Sequence, residues 1–175
     1  MKPKLYFPSY EHQEMVETFV KNMETMHSQI HGMSMYPTLK DDFSAWIQKE
    51  KQLHLGINLA PRFVPGSIFL YILDSVIIGT ISIRHCLNDS LEKVGGHIGY
   101  SIHPAYRMQG HATKMLQEAL AFCQQWEIWP VLITCDKDNI GSKKTILKCG
   151  GILENEWYNP ETKSTILRYW IGNHK

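Results

Sequence analysis

The chain has 175 residues, 43% of them hydrophobic, which is enough to bury the core of one globular domain. Its 18 basic and 17 acidic residues give a formal net charge of +1, so no chain-wide field favours nucleic acid or an acidic membrane surface. Any site for an anion must therefore be local.

The cysteines and the N-terminus indicate the compartment. The chain has four widely spaced cysteines and no CxxC pair: Cys86, Cys123, Cys135 and Cys149. This spacing argues against a zinc ribbon and predicts reduced thiols, although the count alone permits two disulfides. The first 15 residues lack the apolar run of a secretory signal, and no segment is long enough to span a membrane. We therefore expect a cytoplasmic protein without a metal, a membrane or a nucleic-acid partner.

The N-terminal third is predicted to be mainly helical. A short strand over Lys4–Phe7 comes first, and apolar residues then recur at helical spacing over Glu11–Gln29. A second helix is predicted over Asp42–Leu53, where Asp42 or its neighbour Asp41 can cap the first turn. The proline-rich stretch NLAPRFVPGS connects this helical part to the rest.

From Ser67 onward the pattern changes to strands separated by helices. The predicted elements are the hairpin strands SIFLYIL and VIIGTISIRH about Asp74–Ser75, the strand HIGYSI, an amphipathic helix over Gly110–Trp126, the strand PVLITC, a helix over Ile140–Lys148, and the closing hairpin of GILENEWY and STILRYWI about Asn159–Pro160. This order predicts a mixed α/β layout with one sheet.

The turn that precedes the helix at Gly110 could hold an anion. The first N–H groups of a helix have no internal partner and carry partial positive charge, both of which a diphosphate would satisfy. Gly110 and Ala112 leave the approach free of side chains, while Arg107 and Thr113 can add donors. The alternative is an ordinary strand-to-helix loop with the arginine in water.

Two segments carry a family resemblance. HPAYRMQGHATKML resembles the acyl-CoA-binding motif of the GNAT superfamily of N-acetyltransferases, R/Q-x-x-G-x-G/A, and Arg107, Gly110 and Ala112 fill its fixed positions. CDKDNIGSKKTILKCGG resembles the later GNAT segment, with Asn139, Ser142 and Gly150 in place. The resemblance covers the chain from about Ser67 onward. This part of the chain is similar to a bacterial-type predicted acetyltransferase subgroup.

The resemblance implies the fold and its division. It implies an α/β (α+β) architecture: a GNAT-like mixed, mostly antiparallel sheet of six to seven strands flanked by helices. Two parallel strands, HIGYSI and PVLITC, are expected to splay apart and expose backbone groups to a ligand. One domain is expected over residues 1–175, with residues 1–66 as a helical acceptor-side region and residues 67–175 as the acyl-CoA-binding core.

The resemblance also implies the residues that bind acetyl-CoA. Amides from Met108 to Thr113 would surround the diphosphate, and the strand ending Tyr100-Ser101-Ile102 would bind the pantetheine arm through its backbone. The cofactor-binding residues expected on this basis are Tyr100, Ser101, Ile102, Arg107, Met108, Gln109, Gly110, His111, Ala112, Thr113, Asn139 and Ser142.

The catalytic groups depart from the family pattern. The tyrosine that serves many members as the acid for the leaving thiolate falls at Ile146, so the acid is missing or comes from elsewhere. Tyr158 and Tyr169 on the last hairpin could supply the acid instead. The alternative is that both are ordinary half-buried strand residues. The backbone N–H of Ile102 is the expected donor to the developing oxyanion.

The family's glutamate base is also missing. An alkyl ammonium must lose a proton before it can attack a thioester, so a base or a water must accept that proton. In place of the glutamate the sequence has Gly95-Gly96-His97, and His97 titrates in a suitable range. The alternative is a strand-end histidine that pairs with His85 or with a backbone group.

The leading hypothesis is an acetyl-CoA-dependent N-acetyltransferase that transfers an acetyl group directly to a primary amine within a ternary complex. The acceptor is expected to be a small molecule or a peptide, and a homodimer is compatible with the superfamily. The rival hypothesis is a non-catalytic CoA-binding sensor or subunit with a GNAT fold, motivated by the missing acid and base. A phosphate-handling enzyme that uses the same helix N-terminus is a third alternative.

Overall fold

The computed structural model describes residues 2–172 and contains seven strands and six α-helices in that range. The strands are β1 (Lys4–Tyr6), β2 (Gly66–Leu73), β3 (Val76–Arg84), β4 (Ile98–Ile102), β5 (Val131–Asp136), β6 (Ile152–Asn159) and β7 (Ser164–Ile171). The helices are α1 (Gln13–Thr25), α2 (Tyr36–Leu39), α3 (Phe43–Leu55), α4 (Asp89–Lys93), α5 (His111–Gln125) and α6 (Ile140–Lys148). No helix in this range is long and apolar enough to cross a membrane.

Most predicted elements are confirmed, and the differences are local. The first helix ends at Thr25, four residues earlier than predicted, and a 3-10 turn at Tyr10–His12 precedes it. The one-turn helices α2 and α4 were not predicted, because they lie in segments whose composition indicates turns. All four cysteines are free, so the alternative of two disulfides is wrong.

The strands form two hydrogen-bonded sheets instead of the single sheet that the element order predicted. The first sheet has the order β1-β2-β3-β4 and the second has the order β5-β7-β6, with every pairing antiparallel. Between β4 and β5 no ladder forms within residues 2–172. The predicted mixed fold of six to seven strands with one splayed pair is confirmed, and the splay is wide enough to divide the sheet.

Two apolar clusters cover the faces of the first sheet. On one face, buried residues of α1 and α3 such as Phe19 and Trp46 pack with Leu70 of β2. On the other face, Met115 and its neighbours on α5 pack with Ile81 of β3 and with the inner side of the second sheet. The helices α1 and α3 thus lie opposite α5, on the side expected for the acceptor. The division of the domain at residues 66 and 67 stays a prediction.

The cap of α3 gives a direct stability test. Asp42 is its N-cap, and its Oδ1 accepts a hydrogen bond from the Ala45 amide at 2.8 Å. Asp42→Ala should lower the free energy of unfolding by about 1 kcal/mol, because it removes a partner from an orphan helix amide. Asp41→Ala is the matched control, since the Asp41 carboxylate makes no hydrogen bond within residues 2–172. Urea denaturation measures both, and equal losses would contradict the assignment of the cap.

Candidate active site

The turn before α5 presents a row of free backbone amides. Six amides, from Met108 to Thr113, have no acceptor within the described chain, because they lie in the turn and in the first turn of the helix. Gly110 is the N-cap with φ of 80°, and a Cβ placed there would have no atom within 4 Å. The approach to the amides is therefore open, as the sequence predicted, and its chemistry suits a polyanion such as a diphosphate.

Arg107 already donates hydrogen bonds to other residues of the protein, which the sequence did not indicate. Its Nε donates to the Ile102 carbonyl at 2.9 Å, and a terminal nitrogen donates to the Ser28 hydroxyl. The arginine thereby fixes the end of β4 to the turn and to the segment after α1. Its side chain remains exposed, so a contact with a bound anion stays a prediction. Its observed role is to shape the turn that presents the amides.

The side chains next to Gly110 do not fill the turn. Met108 has a left-handed backbone with φ of 61° and a side chain that is 96% exposed. The Gln109 side chain turns back and donates to the Ala105 carbonyl at 3.0 Å. Neither side chain occludes the amides, so the turn is open to a ligand.

A short tie joins the two sheets at the start of β4. The His97 amide donates to the Leu132 carbonyl at 2.7 Å, and the Leu132 amide donates back to His97 Nδ1 at 2.9 Å. Gly96 has φ of 57°, and a Cβ there would lie 2.5 Å from the Leu132 carbonyl oxygen. Only glycine permits this close approach, which brings the two strands together at one point.

Beyond the tie, β4 and β5 diverge around an open cleft of about 240 Å³. We call this space the β4–β5 cleft; its walls include Gly99 and Tyr100 of β4, Cys135 of β5, and Asn139 and Ser142 at the start of α6. The structure therefore brings three of the predicted residues, Tyr100, Asn139 and Ser142, together at one cavity. The turn at Gly110 lies at the end of the same strand, β4, that forms one wall.

The register of β3 and β4 decides which β4 amides face the cleft. The Arg84 amide donates to the His97 carbonyl at 2.7 Å, and the His103 amide donates to the Ile78 carbonyl at 2.9 Å. Because hydrogen-bonded pairs alternate along an antiparallel ladder, the amides of Tyr100 and Ile102 must point away from β3, toward β5. Ile102, predicted as an oxyanion donor, therefore has its N–H on the correct side, and the Tyr100 amide is a second donor.

Ser101 corrects one prediction. By the same alternation its backbone faces β3, where it pairs with Thr80, and not the cleft. Its hydroxyl accepts a hydrogen bond from the His31 amide at 2.6 Å. Ser101 therefore holds the segment after α1 against the sheet. A backbone contact from Ser101 to a ligand in the cleft is not available.

The phenol of Tyr100, which sequence reasoning missed, lies against the start of α6. Asn139 caps the helix by accepting from the Ser142 amide at 3.0 Å, and the Ser142 hydroxyl lies 2.9 Å from the Tyr100 phenol oxygen. Burial raises the pKa of Tyr100 to about 12, so its phenol stays protonated at neutral pH. The sequence analysis singled out Tyr100 for its backbone alone, whereas its phenol crosses the cleft to α6.

His97 has a structural partner that limits it as a base. Its Nδ1 is occupied by the Leu132 amide, and its ring is buried, with an exposed fraction of 8%. Burial lowers the pKa of His97 to about 4, and the charge of Arg84 adds to this effect. The structure favours the alternative in which His97 pairs with a backbone group. His85 instead bonds to Ser67, at 2.8 Å.

The tyrosines of the last hairpin lie away from the cleft. Tyr158 is on β6, which β7 separates from β5, and its side chain is 59% exposed. Tyr169 of β7 and Ile146 of α6 are buried in the core beneath α5. Tyr158 is not among the residues that line the cleft, so its role as the acid stays a prediction.

Comparison with known proteins identifies the family and the fold. Residues 5–152 match the family model described as the Acetyltransferase (GNAT) domain. No curated protein matches the chain at a significant level. Solved structures match over nearly the whole chain, and at the identities found they establish a shared fold alone.

Three of these structures are acetyltransferases. The ribosomal L7/L12 alpha-N-protein acetyltransferase RimL, in complex with coenzyme A, is 16% identical with a TM-score of 0.74, over 98% of this chain and 94% of that one. The ribosomal-protein-S5-alanine acetyltransferase of Vibrio fischeri is 14% identical with a TM-score of 0.74, over 99% and 94%. The microcin C7 self-immunity acetyltransferase MccE, in complex with acetyl-CoA and AMP, is 16% identical with a TM-score of 0.70, over 98% and 93%.

The tie at His97 predicts how stability depends on pH. Its pKa is near 4 in the folded protein against an ordinary value of 6.5, so between these values the unfolded chain binds more protons. Stability from this group is complete above pH 6.5 and falls by about 3 kcal/mol as the pH drops through 4. His97→Asn retains an acceptor for the Leu132 amide but does not titrate. Urea denaturation from pH 4 to 8 should therefore give a flatter profile for this variant, and parallel profiles would contradict the account.

Proposed function

This chain belongs to the GNAT family of acetyltransferases, and on that premise we propose that it transfers the acetyl group of acetyl-CoA directly to a primary amine in a ternary complex. The observation that carries the proposal is the row of free amides at Gly110, placed at the end of the strand that forms one wall of the β4–β5 cleft. The acceptor is a small molecule or a peptide.

The residues present fit acetyl-CoA. The unobstructed amides from Met108 to Thr113 would hold the diphosphate, with Arg107 and the Thr113 hydroxyl as further donors. The Tyr100 carbonyl, which points away from β3, would accept a hydrogen bond from the peptide-like arm, beside Asn139 and Ser142. When bound, acetyl-CoA supplies the activated acetyl group as a thioester.

The β4 amides provide the electrostatic part of the mechanism. The N–H groups of Tyr100, which lines the cleft, and of Ile102, two residues further along β4, point away from β3 and need no reorganisation to donate to a thioester carbonyl. A donor at this position stabilises negative charge that develops on the carbonyl oxygen during attack. Their fixed orientation comes from the β3–β4 ladder, which holds the strand on its other side.

Proton transfer assigns different roles to two residues. Tyr100 is the candidate acid for the leaving thiolate, because its phenol reaches across the cleft to α6; its raised pKa keeps the proton in place at neutral pH and makes the phenol a weaker donor than an exposed tyrosine. His97 as the base stays a prediction, and its bond to Leu132 supports removal of the amine proton by water instead. Asp136, at the wall of the cleft, can attract the incoming ammonium.

Two observations bear on the acceptor and on the rival hypothesis. Structural neighbours act on ribosomal proteins, which supports a protein α-amine as the first acceptor to test and a cytoplasmic location.

Both the enzyme and a non-catalytic CoA-binding protein should be stabilised by acetyl-CoA. Only the enzyme should release free thiol when a panel of amines and peptides is added, so tight binding without thiol release would favour the non-catalytic rival.

Gly110→Asp tests the placement of the diphosphate. The carboxylate adds bulk and negative charge in front of the free amides, so the rise in melting temperature caused by acetyl-CoA should be lost while the fold is retained. Gly150→Asp is the matched control, because Gly150 also has positive φ, 87°, and no atom within 4 Å of its Cβ position. Equal acetyl-CoA stabilisation in both variants would contradict the placement.

Tyr100→Phe tests the acid. Removing the phenol hydroxyl while keeping the ring should lower kcat on the order of a hundredfold and leave stabilisation by acetyl-CoA intact. Tyr158→Phe is the control for the position that the sequence analysis proposed, and it should retain full kcat. A thiol-release assay measures both variants, and a loss confined to Tyr158→Phe would reverse the assignment.

A further inference from the structure

A second cavity lies beside the β4–β5 cleft and has an unusual lining. It has a volume of about 320 Å³ and opens between the start of β2, the end of β3 and α4. Its polar lining residues are Arg62, Arg84, Asn88 and four serines, of which Ser34 and Ser82 already donate their hydroxyl protons to Glu50 and to the Gly99 carbonyl. No aspartate or glutamate of residues 2–172 lines it. We call this space the arginine cavity.

Arg84 is a cation with donors to spare. One terminal nitrogen donates to the carbonyls of Gly95 and Gly96, at 3.1 Å each. The other guanidinium N–H groups have no acceptor in the described part of the chain, and no carboxylate there forms a salt bridge with Arg84. A guanidinium remains charged in proteins even though burial lowers the pKa of Arg84. A partly buried charge without a counter-ion favours an anionic ligand.

Arg84 also connects the two spaces. It lines both the arginine cavity and the β4–β5 cleft. Its terminal nitrogens lie 3.8 Å from the position that a Cβ of Gly99 would occupy. The next residue, Tyr100, presents its amide to the cleft. The cation therefore lies within one residue of the strand segment that would bind the thioester carbonyl.

The charges of the two spaces are of opposite kinds. Within residues 2–172, Asp136 is the one carboxylate that lines the β4–β5 cleft, whereas two arginines and no carboxylate line the arginine cavity. An ammonium entering the cleft would be attracted by Asp136, and an oxyanion on the same molecule would find donors at Arg84 and Arg62. Arg84 at the junction also raises the energy of a protonated amine next to it, which favours the neutral, nucleophilic form.

We propose that the arginine cavity is the subsite for an oxyanion on the acceptor, so that the enzyme acts on amines that also carry a carboxylate or phosphate. This inference rests on the proposed function, because it places the amine in the cleft. The shared chemistry is an oxyanion held by guanidinium and hydroxyl donors, whether it belongs to a small amino acid or to an acidic side chain near a peptide N-terminus.

The probes are pairs of amines of which one member carries an oxyanion and the other does not. The ω-amino acids from glycine to 6-aminohexanoate are compared with their amides, and O-phosphoethanolamine is compared with ethanolamine. One peptide pair carries glutamate or glutamine at the second position. Binding to the CoA-loaded protein is measured by calorimetry, and turnover of acetyl-CoA is measured by thiol release. We expect the charged member to be preferred in at least one pair, in kcat/KM and in binding.

Variants separate the charge of Arg84 from its structural role. Arg84→Gln should reduce the preference for the charged member about tenfold, while Arg84→Lys should retain much of it. Arg62→Gln should reduce it in the same direction. Arg168→Gln is the matched control: Arg168 donates to the Glu92 carbonyl at 2.8 Å and so supports the same loop, but it pairs with Glu154 and lines neither space. The preference should be unchanged in Arg168→Gln.

The outcomes distinguish this inference from the proposed function. Equal binding and turnover of charged and neutral members would overturn the subsite while leaving the acetyltransferase intact. Selective, Arg84-dependent binding of charged members without thiol release would support the subsite and overturn the proposed transfer. Equal loss of preference in Arg168→Gln and Arg84→Gln would show that loop geometry, and not the cation, sets the preference, which would also overturn the inference.

Discussion

The hydrogen bonds between His97 and Leu132 are the constraint on which the rest of the site depends. They join the two sheets where β4 begins, and the glycine at position 96 makes the approach close enough for them to form. No ladder follows this tie between β4 and β5 within residues 2–172. The strands then diverge, and the cleft-facing amides of β4 are left for a ligand instead of a neighbouring strand.

Local patterns allowed much of this architecture to be predicted from the sequence. The helix α6 begins and ends at the predicted residues, Ile140 and Lys148, and the β2–β3 hairpin turns at Asp74 and Ser75, both with positive φ. A two-residue turn of this kind fits the twist of a hairpin. The free amides at Gly110 were predictable for the same reason, since a glycine before an amphipathic helix is a local signal.

The interior of the site was not predictable, because it depends on contacts that are distant in sequence. Which β4 amides face the cleft is set by the register of β4 on β3, and a change of one residue would exchange Ser101 for Tyr100. The phenol of Tyr100 meets Ser142, a residue 42 positions away. His97 and Leu132 are likewise 35 positions apart, so no short motif indicates that the histidine is a tie.

The chain has a near-neutral net charge, yet it offers two different kinds of group that can bind an anion: backbone amides and guanidinium cations. At Gly110 the binding groups are uncharged amides, and the nearby Arg107 is occupied in part with the Ile102 carbonyl. In the proposed acceptor subsite the binding groups would be guanidinium cations, and Arg84 retains unused donors. Amide dipoles suit a ligand that must bind and leave in every cycle, because they hold it without a full opposing charge. A cation placed beside the reacting amine affects the chemistry as well, since it disfavours the protonated form that cannot attack. The proposed arrangement thus places full positive charge where it would select the acceptor and disfavour its protonated form, and uses the backbone where the diphosphate would bind.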